Sequence, residues 1–103
     1  MKLRHAAALA LVGWYLLVPP VNGAVSIASN APIKHWTVLN WFGSEKACTE
    51  GLGNRDGLTT EMRDSGYARE GKVQTELLSE AQCIDENDSR FKGWRGGFIG
   101  RIR

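Results

Sequence analysis

The chain has no uncharged apolar run long enough to cross a bilayer. Its longest, Ala6 to Val18, holds thirteen residues, about 20 Å of helix against roughly 30 Å of hydrocarbon. Pro19 and Pro20 stop it, since a proline inside a helix lacks a donor and clashes with the preceding turn. Histidine is nearly as scarce. After the N-terminal region only His35 remains, and a lone imidazole beside a strand is more often a surface or packing residue than a general base. Cysteine occurs twice, at Cys48 and Cys83, 35 positions apart. That spacing excludes a Cys-x-x-Cys redox pair, and two thiols with His35 still lack a fourth zinc ligand. The carboxylate pairs Glu45/Glu50 and Glu76/Glu80 fall on expected helix surfaces, where nothing apolar raises a pKa. The chain therefore reads as non-enzymatic, with no catalytic residue, no cofactor and no metal site expected.

What is present begins with an export pattern. Lys2 and Arg4 precede the apolar run, Pro19-Pro20 closes it, and small Gly23 follows with Val21 two positions before it. That is the layout of a signal peptide over residues 1–23, with a mature chain starting near Ala24. A retained membrane anchor is the alternative, and the shortness of the run argues against it. No cysteine lies near the cleavage region, so lipid attachment there is not available. The expected location is exported, periplasmic or secreted. In an oxidising compartment Cys48 and Cys83 have only each other to pair with inside one chain. A small domain of about 80 residues needs such a staple.

Charge in the exported part is segregated. Eleven bases balance eleven acids, but residues 24–89 carry a net −5 and residues 90–103 a net +5. The simplest reading of the tail is a solvated arm or one lying against its own acidic body. A sharper one is an anionic membrane surface contacted by Trp94, Arg95, Phe98, Ile99, Arg101 and Arg103, because aromatic and apolar residues alternate there with arginines. Gly96, Gly97 and Gly100 argue against a preformed amphipathic helix. Nucleic acid is not an expected partner, because an exported protein seldom meets it.

The pattern along the chain predicts a small single α+β domain. Residues 24–33 are small and polar and read as an extended leader, residues 34–89 as the domain, and residues 90–103 as the basic tail. His35 to Phe42 is β-branched and aromatic, so a strand is expected there, closed by Gly43. Strict alternation places Trp36, Val38, Asn40 and Phe42 on one face and Thr37, Leu39 and Trp41 on the other. Ser44 is a good N-cap with Glu45 in the first turn. Gly51, Gly53 and Gly57 predict either a frayed segment or a break around residues 53–57, and a second helical piece runs from Leu58 to Ser65 with Gly66 as its stop. Tyr67 to Lys72 reads as a polar loop. Val73, Leu77 and Leu78 predict a helix to Glu80, followed by a strand over Ala81–Asp85 able to pair with the Trp36 strand, with a continued helix as the alternative. The sum is a two-stranded antiparallel nucleus with one or two helices and one disulfide.

Three motifs resemble chemistry without completing it. Asp85, Asn87 and Ser89 begin like a calcium loop, but Arg90 and Gly96 stand where glycine and glutamate are needed. Gly51-Leu52-Gly53 lacks the spacing of a dinucleotide fingerprint. Asn87-Asp88-Ser89 matches a glycosylation acceptor, a triplet common by chance.

The stretch Lys34–Phe42, the run Gly43-Ser44-Glu45-Lys46-Ala47-Cys48, and Ala81-Gln82-Cys83-Ile84 with Asp88-Ser89-Arg90 together resemble a group of short exported bacterial proteins of no assigned activity. These share an aromatic strand, a capped helix bearing one cysteine, and a Gln-Cys pair before an Asp-x-Arg turn. This chain departs from the group in its glycine-rich first helix and its basic ending. The resemblance implies export and a disulfide and no reaction. The expected function is an envelope protein acting through protein or surface contacts, its partner an envelope protein of unknown identity, with Trp36 or Trp41 as anchors on whichever face stays open. The alternative is a peripheral membrane or lipid-binding protein using the tail.

Overall fold

Trp14–Val18 (β1) forms the central strand of a three-stranded antiparallel sheet in the computed structural model, which describes residues 13–22 and 26–99. Its neighbours are Thr37–Phe42 (β4) and Gln82–Asp85 (β5), in the order β4-β1-β5. Between β1 and β4 the chain makes a small antiparallel hairpin, Val21–Asn22 (β2) with Ser26–Ile27 (β3), and a short 3-10 turn at Ile33–His35. Three helices lie between β4 and β5, namely Glu45–Leu52 (α1), Arg55–Ser65 (α2) and Gly71–Glu80 (α3). The fold is α+β with a disulfide, as the pattern predicts, but the sheet has a third strand. The Trp36 strand and the Cys83 strand do not meet, because β1 pairs with both.

In the folded chain, part of the segment read as a signal peptide, residues 1–23, belongs to the sheet. Residues 1–12 lie outside the described residues, but Trp14–Val18 is integral to the sheet. Leu16, Leu17 and Val18 are wholly buried. A strand covered on both faces needs apolar side chains at every position, so it reads as a continuous hydrophobic run. The Gly13 N–H donates to Glu86 Oε1 at 2.9 Å, and the Glu86 N–H donates to the Gly13 carbonyl at 2.9 Å. A cut after Gly23 removes the strand that joins β4 to β5.

Each face of the sheet is covered. On the first, Leu16, Val18 and Leu39 pack with Cys48 of α1, Leu58 and Met62 of α2, and Val73, Leu77 and Leu78 of α3. On the second, Leu17, Val38 and Ile84 pack with Ile33 and Trp36, and with the partly buried Tyr15, Phe91 and Trp94. The disulfide joins α1 to β5 with Cα atoms 6.1 Å apart, so the staple closes the helical layer onto the sheet.

The helix ends follow their chemistry. Ser44 Oγ accepts from the Ala47 N–H at 3.1 Å, and Asn54 Oδ1 accepts from the Gly57 N–H at 3.3 Å. The second cap starts α2 at Arg55, three residues earlier than the apolar spacing alone indicates. Gly66 ends α2 in the left-handed region, at φ 80°, where a Cβ is penalised. The loop expected over Tyr67–Lys72 is shorter, because α3 already begins at Gly71. Buried Gln74 closes this loop, its Nε2 donating to the Ala68 carbonyl at 2.9 Å.

A bulge in β4 changes which side chains share a face. Leu16 lies opposite Asn40 and Leu17 opposite Val38, which leaves Leu39 as an extra residue. Directly opposed residues share a face. Phe42 therefore joins Trp14 on the helical side, and Trp41 sits opposite Tyr15 on the second face. Trp36 and Trp41 thus lie on one side, not on opposite sides as strict alternation predicts. Asn40 stabilises the irregularity by accepting the Trp41 N–H on its own Oδ1 at 2.8 Å.

Candidate interaction face

The basic C-terminal segment builds the outer layer of the second face. Its backbone runs along the free edge of β4: the Val38 N–H donates to the Gly97 carbonyl at 2.8 Å, and the Ile99 N–H donates to the Val38 carbonyl at 2.8 Å. A further bond joins the Arg95 N–H to the Lys34 carbonyl at 2.8 Å. The result is a parallel bridge between Val38 and Phe98, which covers an edge that would otherwise invite pairing with another chain. Gly96 makes the approach possible, because a Cβ there would overlap the Trp36 carbonyl oxygen. That carbonyl also accepts the Trp94 indole N–H at 2.8 Å. Over residues 94–99 the tail is therefore a docked extended segment that lies against the body of residues 24–89, along Lys34 and β4, and is not a solvated arm.

The residues expected to act together in this tail separate. Trp94 is half-buried and Ile99 packs at the margin of the helical core, so both serve the fold. Arg95 is exposed, and Phe98 is the exposed large apolar side chain of the described residues, at 54 %. Arg101 and Arg103 lie outside the described residues. Of the two tryptophans considered as anchors, Trp36 is buried at 4 % exposure and its indole N–H donates to the Ala31 carbonyl at 2.7 Å. Trp41 is only half-buried.

Four rings cross this face in sequence. Tyr15 stacks on Phe91 with centroids 4.8 Å apart, Phe91 stacks on Trp94 at 5.4 Å, and Trp94 meets Phe98 edge to face at 4.9 Å. Such pairs contribute about 0.5–1.5 kcal/mol each beyond their burial. Because the inner rings spend their faces on one another, Phe98 at the end of the row offers the accessible apolar surface. Tyr15 and Phe91 carried no sequence signal of their own, since one lies in the run read as a signal peptide and the other at the start of the tail. Burial raises the Tyr15 phenol above its usual pKa, and the Glu86 charge adds to the effect.

Beside the row lies a groove of about 520 Å³. Its apolar wall is Ile33 and Trp36, and its charged rim is Lys34, Arg90 and Lys92. Arg90 is partly engaged, with Nε and Nη2 donating to Asp88 Oδ1 and Oδ2 at 3.1 and 3.0 Å. Those side-chain bonds hold the Asp88 carboxyl below its ordinary range. Asp88 Oδ1 also accepts the Arg90 N–H, and Asp85 Oδ1 accepts the Asn87 N–H. Asp85, which opens the calcium-like run, and its neighbour Asp88 are thus engaged in shaping a turn, and no group of three or more metal-ligating side chains occurs among the described residues.

Cys48 and Cys83 form the disulfide and are not free thiols. No helix among the described residues is long and apolar enough to cross a membrane. Comparison of the chain with family models, with curated proteins and with solved structures finds no match.

Proposed function

We propose that this is an exported, disulfide-stapled protein that works by contact, through the second face of its sheet. The observation that carries the reading is Phe98, exposed at the end of the aromatic row and flanked in sequence by Arg95. Phenylalanine and arginine are among the residue types enriched at protein interfaces relative to the rest of the surface. The helical side, by contrast, spends its apolar residues on the core. The disulfide points to an oxidising, non-cytoplasmic compartment.

Export is compatible with the fold when the leader ends before β1. Lys2 and Arg4 supply the positive start, and the seven residues Ala6 to Val12 supply a short apolar stretch, at the lower end of the roughly 7–15 residues such segments use. The folded domain then begins at Gly13, and the periplasm or the exterior is its place of work.

A photocrosslinker tests the contact reading. Phe98 is replaced by p-benzoylphenylalanine in the protein expressed in its native host, and the cells are irradiated. The reading expects a covalent adduct with another protein. Absence of any adduct from correctly oxidised protein would refute it. The second reading, a peripheral membrane protein, draws on the same Phe98 with Arg95 and with Arg101 and Arg103 beyond it in sequence. It expects an adduct with lipid alone and sedimentation with anionic vesicles that Phe98→Ser abolishes.

A further inference from the structure

We propose that the groove over Trp36 binds an acidic, extended peptide segment of a partner protein. This inference rests on the contact reading above and names the chemistry of the partner.

Three properties of the groove converge. First, its rim carries Lys34, Arg90 and Lys92, and no carboxylate lines it among the described residues. Lys34 and Lys92 are exposed, and neither takes part in the ion pair that the described residues form, Asp88–Arg90. The rim therefore holds two positive charges beyond that pair. Second, about 520 Å³ is far more than one carboxylate or phosphate fills, since a water molecule takes about 30 Å³ and ligand sites run from about 300 to 1,000 Å³. The apolar lining of Ala31, Pro32, Ile33 and Trp36, of which Pro32 is the exposed member, gives such a ligand a surface to cover. Third, Gln82 also lines the groove, and it opens β5, whose one strand partner among the described residues is β1. An extended segment leaving the groove meets a free sheet edge there, the geometry that strand addition uses.

Charge separates the candidates for the occupant. Residues 1–12 and 100–103 of the chain itself contain Lys2, Arg4, Arg101 and Arg103 and no acid, so a cationic rim repels them. Seven of the eleven acids lie on α1, α2 and α3, which pack on the opposite face of the sheet. An acidic segment from another protein satisfies both the rim and the wall, with carboxylates at Lys34 and Lys92 and an apolar side chain toward Trp36.

The test is fluorescence anisotropy with the oxidised full chain and a labelled, acetylated Glu-Leu-Glu-Leu-Glu peptide. The glutamate peptide is expected to bind about tenfold or more tightly than its Gln-Leu-Gln-Leu-Gln counterpart. Raising salt from about 50 to about 300 mM weakens it several-fold, because an exposed rim is screened. Lys34→Glu and Lys92→Glu each weaken binding by about tenfold, whereas Lys46→Glu on α1 leaves it unchanged. All three lysines are exposed, so the variants are expected to keep the native circular dichroism. Equal affinity for the two peptides, insensitivity to the Lys34 and Lys92 changes, or no binding up to about 1 mM peptide overturns the proposal. So does charge-dependent binding to phosphatidylglycerol vesicles without peptide binding. Self-association abolished by the same two variants overturns it too, by making a second copy the occupant. A protein adduct at position 98 with no peptide binding removes the groove inference alone. Loss of the adduct removes the contact reading beneath it.

Discussion

A chain shortened to begin at Ala24 is expected not to fold. The cut removes β1, and with it Leu16, Leu17 and Val18, all wholly buried. Each such side chain stabilises the fold by about 1.5–3 kcal/mol through burial, so the three together contribute about 5–9 kcal/mol. The cut also removes every backbone bond between the three strands, since β4 and β5 each pair with β1 and not with one another. A domain of this size commonly has a net stability near the low end of about 5–15 kcal/mol. The disulfide limits the freedom of the unfolded chain but cannot replace a missing strand. Urea denaturation followed by circular dichroism and tryptophan emission provides the assay, with a chain beginning at Gly13 as the reference. The reference is expected to unfold in one cooperative step, and the Ala24 chain to show no transition. A cooperative transition of comparable midpoint in the Ala24 chain would refute the assignment of β1 to the core.

Other consequences follow from single contacts. Replacing Cys48 and Cys83 together by serine frees a 35-residue separation, so stability falls by about 4 kcal/mol in the chain-entropy account, read as a lower urea midpoint. Gly96→Val puts side-chain atoms into the Trp36 carbonyl; the tail lifts from the β4 edge at a cost of about 1–3 kcal/mol, seen as a red shift of tryptophan emission. Tyr67 donates its O–H to the Pro19 carbonyl at 2.7 Å, and Tyr67→Phe costs about 1 kcal/mol by urea titration. Burial raises the Tyr67 phenol above its ordinary value of 10.0. The folded state therefore keeps this proton more tightly than the unfolded chain. Its contribution is complete below about pH 10 and is lost as pH rises beyond that, which melting curves across the alkaline range will register.

Local signals were legible where one side chain answers one backbone need. Ser44 caps α1, Gly66 stops α2 with a positive φ, and the apolar stripe of Val73, Leu77 and Leu78 faces the core. The disulfide was also legible, because two cysteines allow one intramolecular pairing. The central strand was not, for a physical reason. Trp14–Val18 is covered on both faces, so its side chains are apolar without alternation, and an apolar run after basic residues is also what an export signal presents. Once β1 is misassigned, β4 and β5 appear as neighbours, although they share only that strand. The bulge at Leu39 was hidden as well, since one extra residue shifts every later side chain in β4 to the other face and leaves no mark in composition. The groove joins Lys34 to Arg90 and Lys92 across more than fifty positions. Its cations were visible singly, and their meeting depends on how the tail docks.

The most direct measurement is the intact mass of the protein recovered from its native host, taken before and after reduction and alkylation. The account predicts an N-terminus at or before Gly13, with two alkylation sites that appear only after reduction. A mass beginning at Ala24 would contradict it, because a stable protein would then exist without the strand on which the sheet is built.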